Sequence, residues 1–255
     1  MLTASYHNHT VRCNHATGTE REYIEKAIES GIKIFGFSDH TPYPFPKDYE
    51  STFRMKLEDM DDYCDTVLRL RDEYKDDIEI HLGLEVEYYP LYFDALNEFI
   101  KDYPIEYYIL GQHLILNEIE VIRDGFSCPP EQDLRQYADQ CIEAMETGRF
   151  IYLAHPDVHK SSCSDDIYRR EMLRICKAAK RLNIPLEINL LGIEDNRNYP
   201  DMRFWMCAAE TGNDVIIGAD AHHVENIYRA DALEIAMNKF VKPLQLKLIN
   251  TPLLF

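Results

Sequence analysis

Short apolar runs alternate with amphipathic stretches almost from end to end of this chain, and few architectures accept that alternation. The apolar runs predict strands over Leu2–His7, Ile32–Ser38, Ile78–Glu85, Tyr107–Gly111, Phe150–Ala154, Pro185–Asn189 and Val215–Gly218. Helical patterns fill the gaps, over Glu20–Gly31, Lys56–Lys75, Glu131–Gly148, Asp165–Asn183, Asp201–Gly212 and Val224–Lys239. In the first of these, Tyr23, Ile24, Ala27 and Ile28 share one face and Gly31 is a natural C-terminal stop. Strands that alternate with helices pair in parallel through right-handed crossovers. The expected class is therefore α/β, with parallel strands and a barrel of βα units. A closed barrel takes roughly the 255 residues present, and no composition shift, linker or repeat divides the chain. We expect one domain over residues 1–255. Two connections are long, Thr41–Met55 with its three prolines and Leu114–Pro130 with Asp124–Gly125; each reads equally as a substrate-covering loop or an elaborated turn.

The polar residues at the strand ends carry the chemistry. They are His7-Asn8-His9 with His15 close behind, Ser38-Asp39-His40, Glu85-Val86-Glu87, Gly111-Gln112-His113, His155-Pro156-Asp157, Glu187-Ile188-Asn189 and Asp220-Ala221-His222-His223. In a parallel barrel all of these meet at one mouth. Imidazoles and carboxylates are the ligands of divalent zinc, manganese and iron. In His7-x-His9, alternate side chains of an extended segment point the same way and reach one metal. Any single histidine at a strand end is commonplace, but core packing has no use for one at strand end after strand end. His81 lies inside a strand pattern and reads as structural, while His159 and His223 read as neighbours of ligands rather than ligands. Cys13 reads as a passive thiol, and of Glu85 and Glu87 one is expected to ligate while the other orients a histidine.

Composition excludes several partners. The formal charge is -18, from 27 basic and 45 acidic side chains, which argues against a nucleic-acid or anionic-membrane surface. It leaves a small phosphate ester open, because divalent cations in a pocket invert the local field. Seven cysteines without a C-x-x-C pair argue against a disulfide framework, so a cytoplasmic setting is expected. Histidines already stand within the first ten residues, so a cleaved signal peptide is not expected.

Taken in order, His7-x-His9, Cys13-Asn14-His15-Ala16, Gly36-Phe37-Ser38-Asp39-His40, Gly83-Leu84-Glu85, Gly111-Gln112-His113, His155-Pro156-Asp157 and Asp220-Ala221-His222 run over nearly the whole chain. This pattern resembles the polymerase-and-histidinol-phosphatase superfamily, called PHP. The resemblance implies a distorted (β/α)7 barrel with two or three divalent ions (zinc, manganese or iron) at the C-terminal mouth. It implies that His7, His9, Glu85 and Asp220 hold one metal. Glu85 would bridge to a second, completed by His113 and His155, and His15, His40 and His222 would hold a third. The short stand-alone chain and the Cys-Asn-His-Ala segment look most like the histidinol-phosphatase branch. Tyr6 stands where many members have an aspartate.

The expected function is phosphomonoester hydrolysis, L-histidinol phosphate and water giving L-histidinol and phosphate, by a hydroxide bridging two metals. Asp39 or His222 would position the water that protonates the leaving group. Arg197, Lys160 and Asn189 follow strand ends and are the candidate substrate-binding residues, and Asp157 and Glu194 the candidate partners of the substrate's cationic groups. The alternatives are another ester, such as a phosphotyrosine protein or a nucleotide, and a metal-binding module without catalysis. An amidohydrolase would offer a strand-end lysine where this chain has Glu85. Nothing in the sequence sets the oligomeric state.

Overall fold

The computed structural model describes residues 2–123, 125 and 127–252, so Asp124 in the second long connection lies outside it. In chain order the elements are β1 (Ala4–Ser5), α1 (Glu20–Glu29), β2 (Ile34–His40), α2 (Met60–Tyr74), β3 (Glu79–Val86), α3 (Phe93–Ile100) and β4 (Tyr107–Leu110). There follow α4 (Pro130–Glu146), β5 (Phe150–Leu153), α5 (Asp165–Leu182), β6 (Leu186–Asn189), α6 (Leu190–Glu194), α7 (Met202–Thr211), β7 (Asp214–Gly218), α8 (Ala230–Ile235) and β8 (Lys247–Leu248). All eight strands are parallel and lie in sequence order within one sheet. The α/β, TIM-like architecture expected from the alternation is what forms.

Three features differ from the sequence expectation. An eighth strand exists, but it is two exposed residues paired only to the start of β7, and it has no apolar run to reveal it. The first strand is shorter than Leu2–His7, because beyond Ser5 the chain leaves β2 and turns toward β7. There Asn8 bridges Ala221, with the His9 amide donating to the Ala221 carbonyl at 3.0 Å and the Ala221 amide to that of His7 at 3.3 Å. The seven strands expected therefore frame the mouth, closed by this bridge, while β8 occupies the edge of β7 at the foot. Helix α3 was not expected, and its N-terminus carries no side-chain cap to announce it.

Alternation along each strand separates two packing layers. Ile80, Leu82, Leu84 and Val86 of β3, Phe35 and Phe37 of β2 and Val215 and Ile217 of β7 face outward into the large core beneath the helices. The opposite face points into the barrel. There Ala4, Tyr6, Tyr107, Ile109, Ile151, Tyr152, Ala154 and Ile216 form a second cluster that plugs the lower half. Tyr6 belongs to this plug, its ring edge-on to Tyr107 at 5.8 Å, so the departure from the family's aspartate lies below the mouth. His81 is structural as expected, with its ring nitrogens 2.8 Å from Glu106 and 2.9 Å from Glu79. Among the described residues no helix is long and apolar enough to cross a membrane.

Asp157 departs from its expected role. It lies buried beneath the β5 turn, where its Oδ2 accepts from the Asp201 amide at 2.5 Å and the Trp205 indole at 3.1 Å. It does not line the cavity, so it fastens the His155 turn to α7 instead of meeting a substrate cation. Burial pushes its carboxyl up to about 7, against the two N–H donors. The unfolded carboxyl titrates near ~3.9, so between about pH 4 and pH 7 the folded state holds the extra proton and stability falls as pH rises. The variant Asp157→Asn keeps the shape without the titration. Its melting temperature relative to wild type should climb from pH 4.5 to pH 7.5; a difference independent of pH would mean that Asp157 folds ionised.

Candidate metal centre

The plug ends where the charges begin. On the inner face of β3, His81, Gly83, Glu85 and Glu87 follow one another toward the mouth, and Glu85 is fully buried at the centre of a ring of imidazoles. Its Oε1 lies 3.0 Å from His155 Nε2 and 3.5 Å from both His7 Nε2 and His113 Nε2. Its Oε2 lies 3.0 Å from His40 Nδ1 and 3.5 Å from His9 Nε2. Asp220 Oδ1 stands 3.2 Å from His9 Nε2, 3.5 Å from His7 Nε2 and 3.4 Å from His222 Nδ1. His222 stacks on His9 and on His15 with centroids 4.0 and 4.6 Å apart. All nine residues expected as ligands are thus gathered at one mouth.

The spacing suits metal coordination better than hydrogen bonding. Donors at ~2.0–2.1 Å from a tetrahedral ion stand about 3.3 Å from one another, close to most of the separations here. Buried His7 Nε2, both nitrogens of His9, His40 Nδ1, Glu85 Oε2 and His222 Nε2 make no hydrogen bond of good geometry. Buried polar atoms are almost always satisfied, so such a cluster of orphans fits a set of donors that hold a cation. Donor triples such as His7–His9–Asp220, His7–Glu85–His155 and His9–His40–His222 each fit around one ion.

Outer partners set the tautomers. His7 Nδ1 donates to Glu187 Oε1 at 2.8 Å and His113 Nδ1 to Glu87 Oε1 at 2.9 Å. His15 Nδ1 donates to the Cys13 carbonyl at 2.8 Å and His222 Nδ1 to that of Asp220 at 3.2 Å. In all four the second ring nitrogen is left for a metal. Two glycines make room: a Cβ on Gly111 would overlap the Glu85 carboxylate, and one on Gly218 that of Glu187. His155 and Asp220 hold positive φ, 26° and 51°, a conformation costly for side-chain-bearing residues and often found where function demands it.

Electrostatics divides the imidazoles. Burial disfavours the charged form of His7, but Glu187, Asp220 and Glu85 outweigh it and raise its pKa well above the ordinary value. His9 rises to about 9 against burial, through Asp220, Asp39 and Glu85. Burial takes His40 down to about 4 and, helped by His9, His222 down to about 2. Despite burial, the surrounding imidazoles hold Glu85 and Asp220 far below the carboxylate range. The site therefore presents ionised carboxylates with several neutral rings, the ligand forms a divalent ion takes.

Other residues fall outside this cluster. Asp39 is fully buried and points to the outer side of β2, accepting from the Thr10 hydroxyl and the His40 amide and lying 3.4 Å from His9 Nδ1. It orients His9 and does not reach the cavity. Cys13 is buried beside the stack, its thiol pushed up by burial and by Asp39. His159 pairs with Asp133 and His223 with Thr17. The mouth opens into a cavity of 880 Å³ that His222, Arg197, Tyr199, Glu194, Phe53, Leu114 and Ile122 help to line. Lys160 is exposed and off this wall. Asn189 spends its amide on Glu187, Asp220 and the Gly192 N–H, so it braces the centre and caps α6. Arg197 reaches the cavity while paired with Asp195 at 2.8 Å.

The PHP domain family matches residues 5–190 of this chain, well over half its length. The chain belongs to the PHP domain family. A relative named probable histidinol-phosphatase, from Deinococcus radiodurans, is 28% identical over 231 residues, 85% of each chain. A histidinol-phosphatase from Lactococcus lactis is 25% identical over 237 residues, 87% of this chain and 85% of that one. In structure, the chain is similar to histidinol phosphate phosphatase from Lactococcus lactis, solved with zinc, L-histidinol and phosphate. The TM-score is 0.73 at 20% identity, over 97% of this chain and 95% of that one, so the two share a fold.

Two residues at the site were given no role by sequence reasoning. Glu187 alternates with Asn189 on β6, a signal that was present but ambiguous, since any strand-end carboxylate has the same pattern. Arg229 was hidden inside the expected helix Val224–Lys239. The helix is in fact broken: a 3-10 turn over Val224–Ile227 ends before α8, and Arg229 turns inward to the cavity wall, pairing with Glu194. For Glu187, replacement by glutamine removes the charge behind His7 and places an N–H₂ against the donors of His155 and Asn189. Zinc affinity of Glu187→Gln, measured by chelator competition, should fall ~10–100-fold, the usual cost of losing a ligand's outer partner; unchanged affinity would leave Glu187 a packing residue.

Proposed function

We propose that this chain is a metal-dependent phosphomonoester hydrolase of the histidinol-phosphatase type, converting L-histidinol phosphate and water to L-histidinol and phosphate. The observation that carries the reading is the ring of imidazoles around buried Glu85, its nitrogens orphaned, at the floor of a cavity with cationic and anionic side chains on its wall. The names and substrates of the relatives support it.

His7, His9, Glu85 and Asp220 would hold one ion, His113 and His155 with Glu85 a second, and His15, His40 and His222 a third. Zinc, manganese and iron all accept this donor set. Bound divalent ions supply an activated water and neutralise charge on the phosphoryl oxygens. The chain's own residues do the rest. Glu187, Glu87 and Asp39 hold His7, His113 and His9 in place, so the centre needs no rearrangement when substrate arrives. Arg197 and Arg229 supply cationic contacts for the phosphate, and Glu194 and Asp195 anionic ones for the ammonium and imidazole of the leaving alcohol. Each arginine already pairs with one of these carboxylates. A substrate with charges of both signs exchanges partners with the wall and leaves no ion unpaired. His222, with its low proton affinity, stays neutral, the form in which its free nitrogen would take an ion. Phe53, Leu114 and Ile122 exclude bulk water, and 880 Å³ suits a small ester.

Phosphate release from a panel of monoesters, by protein loaded separately with zinc, manganese or iron, tests the reading. Histidinol phosphate should turn over selectively. His9→Ala should lose more than the ~10–100-fold that follows loss of a residue merely orienting a ligand. Turnover confined to phosphotyrosine peptide or nucleotides would move the substrate while keeping the chemistry; silence in every metal form would replace catalysis with metal binding alone.

A further inference from the structure

Arg54 is the penultimate residue of the first long connection, Thr41–Met55, yet it is among the largest fully buried side chains, 2% exposed. Its guanidinium makes contacts in three directions. Nε donates to Glu118 Oε2 at 2.8 Å, and Nη2 lies 2.7 Å from the same oxygen. Nη1 donates to Glu87 Oε2 at 3.0 Å and to the Thr41 carbonyl at 2.9 Å. The Phe53 ring, which lines the cavity, lies 4.6 Å beneath the guanidinium and meets His40 edge-on. Glu118 belongs to the second long connection and accepts from the Tyr49 hydroxyl at 3.0 Å. One cation thus fastens both segments flanking the mouth to the end of β3.

The charges in this group do not balance. Arg54 carries one positive charge against the carboxylates of Glu87 and Glu118, and all three side chains are buried. An unpaired buried charge is strongly disfavoured, so a further cation must lie within reach. The other oxygen of Glu87 is spent on His113 Nδ1, whose far nitrogen faces Glu85. The nearest place for that cation is His113, as an imidazolium or as the ligand of an ion at the centre.

We propose that Arg54 is a positioning residue that couples occupancy of the metal position at His113 to the order of segments 41–55 and 114–123, an inference that rests on the metal reading of the mouth. With an ion in place, the Arg54–Glu87–His113 chain is neutralised from both ends and both segments are held. Without it, the far side of the His113 ring has no anchor, Glu87 and Arg54 are held less firmly in turn, and the two segments loosen together.

The test compares wild type, Arg54→Met and Arg54→Lys, each as the zinc-loaded protein and after chelation. Zinc per chain and amide hydrogen exchange are measured. In wild type, zinc should slow exchange in both segments. Arg54→Met should bind zinc at the His113 position ~10–100-fold more weakly. Its two segments should exchange fast with or without zinc, while the barrel strands stay protected. Arg54→Lys should recover part of the affinity, since a single ammonium cannot reproduce the forked contact. Wild-type zinc affinity in Arg54→Met, or equal zinc protection of the segments in both proteins, would overturn the coupling. If Arg54→Met does not fold, wild type decides: zinc that binds without changing exchange in either segment overturns the coupling and leaves the metal reading intact. Absence of zinc binding by wild type overturns both.

Discussion

A fully buried carboxylate surrounded by imidazoles is stable only if the charges around it close, and the upper half of this protein is arranged around that demand at Glu85. Five histidines from four strand ends come within 3.5 Å of its two oxygens. Gly111 is bare because the carboxylate occupies the space a side chain would need. Below it, the barrel is plugged with tyrosines and isoleucines, so the charged group has no water beneath it and must be satisfied from the sides and from above.

That demand propagates outward through matched pairs. Glu187 behind His7, Glu87 behind His113 and Asp39 behind His9 each fix a ring and direct a nitrogen inward. Arg54 stands behind Glu87 and ties in the two long connections, while Asn189 braces Glu187 and Asp220 together. Removing one partner from such a buried pair typically costs about 3–5 kcal/mol, because the other is left uncompensated. The centre is rigid because each ligand is held by a group that is itself held.

The cavity wall follows a different rule. Its arginines and carboxylates are already paired with each other, Arg197 with Asp195 and Arg229 with Glu194. Such pairs are neutral as they stand, and in the proposed reading each would offer a partner to one charge of a zwitterionic substrate. The strongly acidic overall composition is carried elsewhere, on the helix surfaces, where pairs such as Arg21 with Glu73 and Arg181 with Glu146 lie in solvent.

By itself the sequence determined the alternation of strands and helices, the parallel architecture and every imidazole and carboxylate now gathered at the mouth. It could do so because strand period and strand-end position are local properties, and a parallel barrel brings all C-terminal ends to one place. The tertiary structure decided what each remaining polar residue faces. Asp39 and Asp157 stand next to ligands in the chain yet turn to the far side, because neighbours along an extended segment point in opposite directions and turns reverse that sense unpredictably. Arg54 and Arg229 lie in an expected loop and an expected helix where nothing in the sequence marks them, but the fold buries both, since only the assembled barrel supplies the carboxylates that make burying a guanidinium tolerable. The eighth strand, too, exists only because β7 offers it an edge.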